Sequence, residues 1–154
     1  MLLLFWCSFG LLLITWVAYP VLMAAWGRLA RAPWRTGERR PDLSVIIPAY
    51  NEAACIREKL ANTLAAGYPA GRLEVVVVSD GSDDGTETVV RRCTDPRVRL
   101  LTQHPRQGKA QAMNVGVDAA RGELVAFTDA DVLIEPQALD RLARWFADAR
   151  VGAV

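Results

Sequence analysis

The chain has 154 residues, of which 52% are hydrophobic, and a formal net charge of +1. This length suits one domain, and the hydrophobic share is slightly above that of an ordinary soluble protein. The near-neutral charge, without a basic stripe interleaved with aromatic residues, argues against nucleic acid as a partner.

The three cysteines, Cys7, Cys55 and Cys93, form no C-x-x-C pair of the kind that indicates zinc or redox chemistry. An odd number of well-separated cysteines suits a reducing compartment. Cys7 lies in an apolar leader and the other two lie in helical patterns, where free cysteine packs as a small hydrophobic residue. We therefore assign them no chemical role.

Residues 1–26 contain no charged side chain, and about 20 such residues are enough to span a bilayer as a helix. Pro20 lies inside this run, where a membrane helix tolerates a kink, and Trp26 and Trp34 suit the interfacial aromatic belt. The alternative is a cleaved signal peptide, but the basic start and short apolar core that it requires are missing. The sequence predicts a retained transmembrane anchor over residues 1–27.

Residues 28–42 form a basic segment after this anchor. Its arginines are Arg28, Arg31, Arg35, Arg39 and Arg40, and only Glu38 opposes them. The positive-inside rule then predicts a single-pass protein of the cell membrane, with the chain after Pro41 in the cytoplasm. A solvated linker whose arginines contact lipid head groups is an alternative with the same topology.

Alternating strands and helices follow. Residues 43–47 form a short β-branched run that Pro48 stops, which is typical of a buried strand. Residues 52–66 carry one apolar helical stripe, and Gly67 stands in the position of a C-cap. Residues 73–78 are almost wholly valine, as in a central strand covered on both faces. Residues 81–85 form a turn, and Asp84 with Glu87 has the spacing of a helix start, with the helix extending to about Cys93.

A third strand is predicted at residues 98–102, a third helix at 107–120 and a fourth strand at 124–127. Pro136 suits the first turn of a fourth helix, whose apolar residues at helical spacing are Leu139, Leu142, Ala143 and Phe146. Residues 151–154 are typical of a further strand. Repeated strand and helix units predict an α/β fold with a doubly wound, mostly parallel sheet, whose ligands lie at the carboxyl ends of its strands.

Polar residues gather after three of these strands, and a parallel sheet brings such loops to one edge. They are Pro48, Tyr50, Asn51 and Glu52, then Ser79, Asp80, Gly81, Ser82 and Asp83, then Asp129 and Asp131. Gly108 and Lys109 open the third helix, where the helix dipole and an ammonium group favour an anion. Alternatively, Asp83, Gly85 and Thr86 only shape the start of a helix, and Lys109 is a solvated lysine.

Asp129 and Asp131 end the apolar run of the fourth strand, one residue apart. In an extended backbone both side chains project to the same side, where a bound cation relieves their repulsion. Mg²⁺ and similar hard ions prefer carboxylate oxygens and complete their shell with water and substrate phosphates. The pair therefore indicates a metal-bound phosphate ester, although an ordinary strand end and turn would use the same residues.

Four motifs in order resemble the signature of family 2 glycosyltransferases. They are residues 44–52 (SVIIPAYNE), 78–86 (VSDGSDDGT), 108–114 (GKAQAMN) and 128–131 (TDAD). The resemblance implies a GT-A fold and an inverting transfer of sugar from a nucleotide-sugar donor, a UDP-sugar in particular. The membrane leader resembles the membrane-bound branch of the family, whose acceptors are polysaccharides or lipid-linked saccharides.

The same resemblance implies roles for individual residues. Asp80 would contact the uracil or ribose, and Lys109 would lie near the donor. Asp129 and Asp131 would form the D-x-D pair that binds Mg²⁺ or Mn²⁺, with Asp131 the better candidate for direct contact, and the cation would neutralise the leaving diphosphate. The donor-binding set is Pro48, Ala49, Tyr50, Glu52, Asp80, Gly108, Lys109, Asp129 and Ala130.

An inverting transfer also needs a general base near the acceptor hydroxyl. In this family the base is an aspartate well downstream of the D-x-D pair, and processive members add a Q-x-x-R-W motif. Neither is found up to Val154, and Arg144 with Trp145 lacks the glutamine, because that position is Arg141. We expect residues 43–154 to be the donor-binding part of a GT-A domain, incomplete at its C-terminus and inactive alone.

Other protein classes use similar parts. The main alternative is a non-catalytic nucleotide-binding or regulatory fragment on a membrane anchor. A phosphoacceptor receiver would require an acidic pair after the first strand, where this chain has Tyr50, Asn51 and Glu52. A dinucleotide-binding oxidoreductase would require a G-x-G-x-x-G motif there, which is missing.

Overall fold

The structure, a computed structural model, describes residues 1–29 and 35–154. Two residues singled out in the sequence, Arg31 and Trp34, lie outside the described residues. Contacts within the chain separate two units, Met1–Trp34 and Arg35–Val154. Each unit has its own architecture.

The first unit contains one continuous helix, Leu2–Leu29. It comprises α1 (Leu2–Leu13), a π-helical stretch (Ile14–Ala18) and α2 (Tyr19–Leu29). Pro20 accounts for the wider turn, because its ring lacks an N–H and crowds the preceding turn, while the Tyr19 N–H bonds to Ile14 O. By length and composition this helix could cross a membrane, although a signal sequence near the N-terminus meets the same criteria.

The second unit contains a four-stranded sheet. Its strands are β1 (Leu43–Ala49), β2 (Leu73–Asp80), β3 (Val98–Gln103) and β4 (Leu124–Phe127). Their order is β3-β2-β1-β4, and each neighbouring pair is parallel. The chain moves outward from β1 to β3 and returns to the other side of β1, so the topological switch point lies between β1 and β4. The predicted doubly wound, parallel sheet is confirmed.

Helices cover both faces of this sheet. The described α-helices of the unit are α3 (Ile56–Leu64), α4 (Thr86–Arg91), α5 (Lys109–Ala119) and α6 (Ala138–Ala143), with 3₁₀ turns at Ala70–Arg72 and Arg144–Ala147. Ile46, Val76 and Val78 pack with Ala112 of α5 on one face. On the other face Val45, Ile47, Val75 and Val77 pack with Ile56 and Leu60 of α3. This double burial explains why β1 and β2 are continuous apolar runs.

α5 packs closely against β1 at Gly116, which has no side chain. A Cβ atom at Gly116 would lie 2.4 Å from Cγ2 of Ile46, well inside van der Waals contact. The glycine therefore sets the distance between β1 and the helix that begins with Lys109.

β1 continues to Ala49, so the prediction that Pro48 stops it is wrong. Ile46 O accepts a hydrogen bond from Thr128 N on the β4 side. By the alternation of a strand, Pro48 faces the same side, where β4 has already ended at Phe127. Its missing N–H therefore removes no ladder hydrogen bond.

Two predicted helix starts are also wrong. α3 begins at Ile56 rather than at Glu52, because the Glu52 N–H bonds to Thr86 Oγ1 in the next loop instead of joining a helix. α6 begins after Gln137, whose φ of 66° is left-handed, so Pro136 precedes the helix instead of occupying its first turn.

The observed ends of several elements also differ from the predicted ones. Gly67, with φ of 78°, lies three residues beyond Leu64, the last residue of α3. α4 ends at Arg91 and not at Cys93. Residues 151–154 are not a strand, because no described strand pairs with them, and Val154 is exposed.

The last part of the predicted basic linker is attached to the α/β unit. Arg39 pairs with Glu123 at 2.8 Å, and Arg40 pairs with Asp140. The buried Tyr68 hydroxyl donates a hydrogen bond to Pro41 O at 2.5 Å. These contacts fix the chain on the domain just before β1.

Candidate active site

A cleft of about 340 Å³ lies at the carboxyl ends of β1, β2 and β4, beside the first residue of α5. Its lining residues are Pro48, Ala49, Tyr50, Glu52, Asp80, Arg106, Lys109, Ala112, Asp129, Ala130 and Asp131. Nine of these are site residues predicted from the sequence, and Gly108 is the one predicted donor-binding residue that does not line the cleft. The volume is that of a small-molecule site, at the switch point where such sheets bind ligands.

Hydrogen bonds join the loops that follow β1 and β2. Asn51, whose φ is 57°, donates from Nδ2 to Asp83 Oδ1 at 2.8 Å and accepts the Asp83 N–H at 3.0 Å. The Glu52 N–H donates to Thr86 Oγ1 at 2.8 Å. Asp83, Gly85 and Thr86 do not line the cleft, so they shape the loops that carry Tyr50 and Glu52.

Asp80 forms the inner end of the cleft and is 3% exposed. Its Oδ1 accepts hydrogen bonds from Gln103 Nε2 at 2.5 Å and from the Gln107 N–H at 2.7 Å. Its Oδ2 accepts the Gly108 N–H at 2.7 Å. Burial raises the pKa of Asp80, but these hydrogen bonds and nearby Arg106 outweigh it and hold the pKa below its ordinary value. Asp80 thus fixes the loop before α5, and the Gly108 N–H is directed to it.

Arg106 and Tyr50 stack at the mouth of the cleft. The guanidinium carbon of Arg106 lies 3.6 Å from the centroid of the Tyr50 ring, a cation–π arrangement. Both groups are planar and partly exposed, so a flat heterocyclic base can stack against either one.

The acidic pair lies in a turn. β4 ends at Phe127, and Ala130 and Asp131 form the turn, so the prediction that the pair alternates along an extended strand is wrong. The turn nevertheless places Asp129 and Asp131 in the same cleft. Lys109 Nζ lies 2.5 Å from Asp129 Oδ1, with the two side chains 60% and 48% exposed. An ion pair this exposed contributes at most about 1 kcal/mol, so a divalent cation can displace the lysine.

Lys59 lies beneath the acidic turn and is fully buried. Its Nζ donates hydrogen bonds to Thr128 Oγ1 at 2.6 Å and to Val132 O. Burial lowers the pKa of Lys59, and the charges of Asp129 and Asp131 oppose that shift. The two ends of the acidic turn are therefore attached to one side chain of α3.

Cys55 lies beside the cleft residue Glu52. Its thiol donates to Glu52 Oε2 at 3.0 Å. Burial, together with this hydrogen bond, raises the pKa of Cys55 to about 11, so the group stays a thiol. This state suits packing.

The acidic pair suits a cation that brings further oxygen ligands with it. Among the described residues, no group of three or more His, Cys, Asp or Glu side chains is placed to hold a metal ion. Mg²⁺ and Mn²⁺ accept carboxylate oxygens and complete their shell with phosphate and water oxygens. Two carboxylates in an open cleft therefore fit a divalent ion bound together with a diphosphate.

Arg106 and Lys59 are not among the residues predicted from the sequence. Lys59 had a signal: with Ile56, Leu60 and Thr63 it follows the i, i+3, i+4, i+7 spacing of the buried face of α3. Arg106 had none, because it lies in a loop without periodicity and meets Tyr50 only through the fold.

These features define an α/β protein with a GT-A-like fold and a ligand cleft at the switch point of its sheet. The sequence profile described as "Glycosyl transferase family 2" matches residues 44–154. The chain therefore belongs to family 2 of the glycosyl transferases.

Curated relatives agree with this assignment. Glycosyltransferase AglE of Haloferax volcanii is 37% identical over 103 residues, which cover 66% of this chain and 34% of AglE. Succinoglycan biosynthesis protein ExoO of Rhizobium meliloti is 37% identical over 105 residues, which cover 68% of this chain and 30% of ExoO. The chain thus spans about a third of the length of these relatives.

Solved structures show the same fold. Mannosyltransferase PcManGT from Pyrobaculum calidifontis, in complex with GDP-Man and Mn²⁺, superposes with a TM-score of 0.75 at 40% identity, covering 85% of this chain and 41% of PcManGT. S. aureus TarS 1–349 in complex with UDP-GlcNAc has a TM-score of 0.62 at 32% identity, covering 66% of this chain and 30% of that one.

Proposed function

We propose that the protein is a membrane-anchored, inverting glycosyltransferase that takes a sugar from a nucleotide-sugar donor with the help of a divalent cation. The observation that carries this proposal is one cleft in which Tyr50, Asp80, Lys109 and the pair Asp129 and Asp131 meet. Family membership and two similar structures, one with GDP-Man and Mn²⁺ and one with UDP-GlcNAc, support it.

The nucleoside would occupy the end of the cleft formed by the loop after β1. Pro48, Ala49, Tyr50 and Glu52 line that end, with the Arg106 guanidinium over the Tyr50 ring. A carboxylate has about four lone-pair sites. Asp80 uses three of them within the protein. The remaining one suits a base N–H or a ribose hydroxyl, and a UDP-sugar is the donor that the sequence motifs favour.

The diphosphate would lie between Lys109 and the acidic pair. Asp131, which has no ion-pair partner among the described residues, would bind the cation directly, and Asp129 would share it after releasing Lys109. The freed ammonium and the N-terminal dipole of α5 would then attract the diphosphate oxygens. Lewis-acid stabilisation of the leaving diphosphate is the chemistry that bound Mg²⁺ or Mn²⁺ supplies.

The acids of the cleft are all engaged on the donor side in this proposal. Asp80 holds the loop before α5, and Asp129 and Asp131 hold the cation. Glu52 lies on the nucleoside side and accepts a hydrogen bond from Cys55. We therefore assign the general base to none of these carboxylates, and we expect the 154-residue chain to bind donor without transferring sugar.

We propose that residues 1–27 anchor the protein in the cell membrane, that residues 28–42 form the juxtamembrane segment and that residues 43–154 bind the donor on the cytoplasmic side. The apolar helix Leu2–Leu29 and the arginines after it support this topology. The acceptor would be a polysaccharide or a lipid-linked saccharide, in keeping with the relative named for succinoglycan biosynthesis.

Calorimetry of the detergent-solubilised chain tests the donor site. UDP and GDP are titrated with Mn²⁺ and, separately, with a chelator, in the wild type, Asp131→Ala and Asp118→Asn. Asp118 is exposed on α5 and does not line the cleft, so its variant is the matched control. The metal-dependent share of binding is the part that is seen with Mn²⁺ and not with the chelator. We expect Asp131→Ala to lose this share and Asp118→Asn to keep it. Undiminished binding by Asp131→Ala would refute the assignment.

A further inference from the structure

We propose that Lys59 is a positioning residue for the acidic pair, which ties the turn carrying Asp129 and Asp131 to α3 and so sets the strength of metal-dependent donor binding. This inference rests on the proposed function in one respect, that the pair binds a cation. It concerns a side chain that lies outside the cleft itself.

The cost of burying this group indicates that it does more than fill space. Lys59 has no exposed surface, and in the part of the chain that the structure describes no carboxylate lies within ion-pair distance of its Nζ. A buried ammonium without a paired charge is expensive, and an apolar side chain would pack there at lower cost. The cost is offset by the two hydrogen bonds to Thr128 and Val132, together with the nearby charges of Asp129 and Asp131.

Polar contacts fix the acidic turn on both sides of the pair, while Ala130 between the two aspartates is buried in the hydrophobic core. In the segment from Thr128 to Ile134, which carries the acidic pair, Val132 and Leu133 are 51% and 53% exposed. These two side chains therefore do not anchor the segment by burial. Lys59 holds the segment on both sides of the acidic pair. Asn62, on the same face of α3, holds the far end, because it donates to Ile134 O at 3.0 Å and accepts the Ile134 N–H at 2.7 Å.

Positioning and simple charge repulsion predict opposite outcomes when Lys59 is replaced. A fixed positive charge beneath Asp129 and Asp131 repels a second cation, so its removal alone would strengthen metal binding. Loss of the two hydrogen bonds from Lys59 lowers the fraction of molecules whose acidic turn is in the binding-competent conformation. The apparent affinity for the metal falls in proportion to that fraction. The hydrogen bonds flanking the pair make the second effect the larger one, so metal-dependent binding should fall.

The experiment compares four proteins by calorimetry of the detergent-solubilised full chain with UDP and GDP, with Mn²⁺ and with a chelator. Lys59→Met removes the charge and both hydrogen bonds. Thr128→Val keeps the lysine and removes one acceptor on the turn. Leu60→Ala is the control, because Leu60 is buried on α3 but faces the groove beside Val89 and Cys93 of the α4 region.

Lys59→Met is expected to weaken the metal-dependent share of binding by about tenfold or more, the usual effect of losing a group that orients a metal ligand. Thr128→Val is expected to weaken it by about threefold, since one of the two attachments remains. Binding in chelator should stay within about twofold in both variants, a pattern that general destabilisation does not produce. Leu60→Ala should lower the unfolding temperature while keeping the metal-dependent share.

Three outcomes are decisive. A metal-dependent share that is unchanged or larger in Lys59→Met would overturn the positioning role. If Lys59→Met does not fold, an unchanged share in Thr128→Val overturns it instead. A wild type without any metal-dependent share would refute the proposed function itself, a result distinct from failure of this inference.

Discussion

The carboxylate of Asp80 accepts three hydrogen bonds from residues 103–108 while it is almost fully buried. Two of its donors are backbone N–H groups of the loop that leads to Lys109. The same side chain therefore ends β2 and fixes the rim of the cleft. Asp80 therefore contributes both to the stability of the fold and to the shape of the site. Replacing its charged carboxylate with a neutral amide tests the contribution to stability.

Asp80→Asn removes that charge at nearly constant volume. The amide N–H₂ of asparagine would then face N–H donors, from which it cannot accept a hydrogen bond. We therefore expect the free energy of unfolding to fall by about 3 kcal/mol. Urea denaturation of the detergent-solubilised chain, followed by circular dichroism, measures this change. A loss below about 0.5 kcal/mol, the range of ordinary surface changes, would show that the three hydrogen bonds contribute little.

The same variant gives a pH test with a fixed sign. Because the folded-state pKa of Asp80 lies below its ordinary value of about 3.8, its charge stabilises the protein above that pH. This stability is lost as pH falls through the folded-state pKa. The difference in unfolding free energy between wild type and Asp80→Asn should therefore shrink below about pH 4 and stay constant above about pH 5. A difference that grows on acidification would contradict the hydrogen bonds assigned here.

Lys109 is predicted to have opposite effects on two ligands. In Lys109→Met, Asp129 loses its ion-pair partner, so Mn²⁺ alone should bind up to about fivefold more tightly, the equivalent of about 1 kcal/mol. UDP or GDP with Mn²⁺ should bind more weakly, because the ammonium no longer meets the diphosphate. Paramagnetic resonance of free Mn²⁺ measures the first effect and calorimetry the second. Changes in the same direction for both ligands would be evidence against the proposed exchange of partners.

At the scale of elements, Gly116 decides how closely α5 approaches β1. Gly116→Ala places a Cβ atom 2.4 Å from Ile46 Cγ2, so the helix must shift or the isoleucine must leave its position. We expect a loss of about 1–3 kcal/mol in the free energy of unfolding. Gly71→Ala is the control, because nothing lies within 4 Å of a Cβ atom there. Equal urea midpoints for the two variants would contradict the close packing of α5.

β1 and β2 were predictable because they are apolar runs covered on both faces, as in Val75–Val78 with no exposed surface. β3 and β4 are only partly buried, and their short apolar runs were enough to predict them. Several ends were not predictable, because they depend on residues distant in sequence. Glu52 leaves the helical pattern to bond with Thr86, and Pro48 stays in β1 because β4 ends early. Local pattern reasoning sees neither partner.

At the scale of the whole molecule, the parallel topology assembled most of the cleft that the motifs indicated. Tyr50, Asp80 and Asp131 lie in separate loops, and the strand order β3-β2-β1-β4 brings those loops to one edge. Arg106 and Lys59 could not be placed by the same argument. Arg106 reaches Tyr50 across two loops, and Lys59 contacts the acidic turn from below through α3.

The membrane topology is a separate prediction for the whole chain. The arginines after the apolar helix should keep residues 43–154 in the cytoplasm. A reporter that is active only in the cytoplasm, fused after Val154, should therefore be active, and one active only outside should be silent. As a control, the same reporters fused before Met1 should give the reverse pattern. External activity from the C-terminal fusion would contradict the orientation.

The most direct test of a cation-dependent nucleotide-sugar site is a crystal structure of the chain grown with Mn²⁺ and a UDP-sugar or GDP-sugar. The anomalous signal of manganese locates the ion independently of the nucleotide. We predict one manganese peak beside Asp131, shared with the diphosphate, and the base against Tyr50. A nucleotide bound elsewhere, or one bound in the cleft with no manganese beside Asp131, would contradict the account.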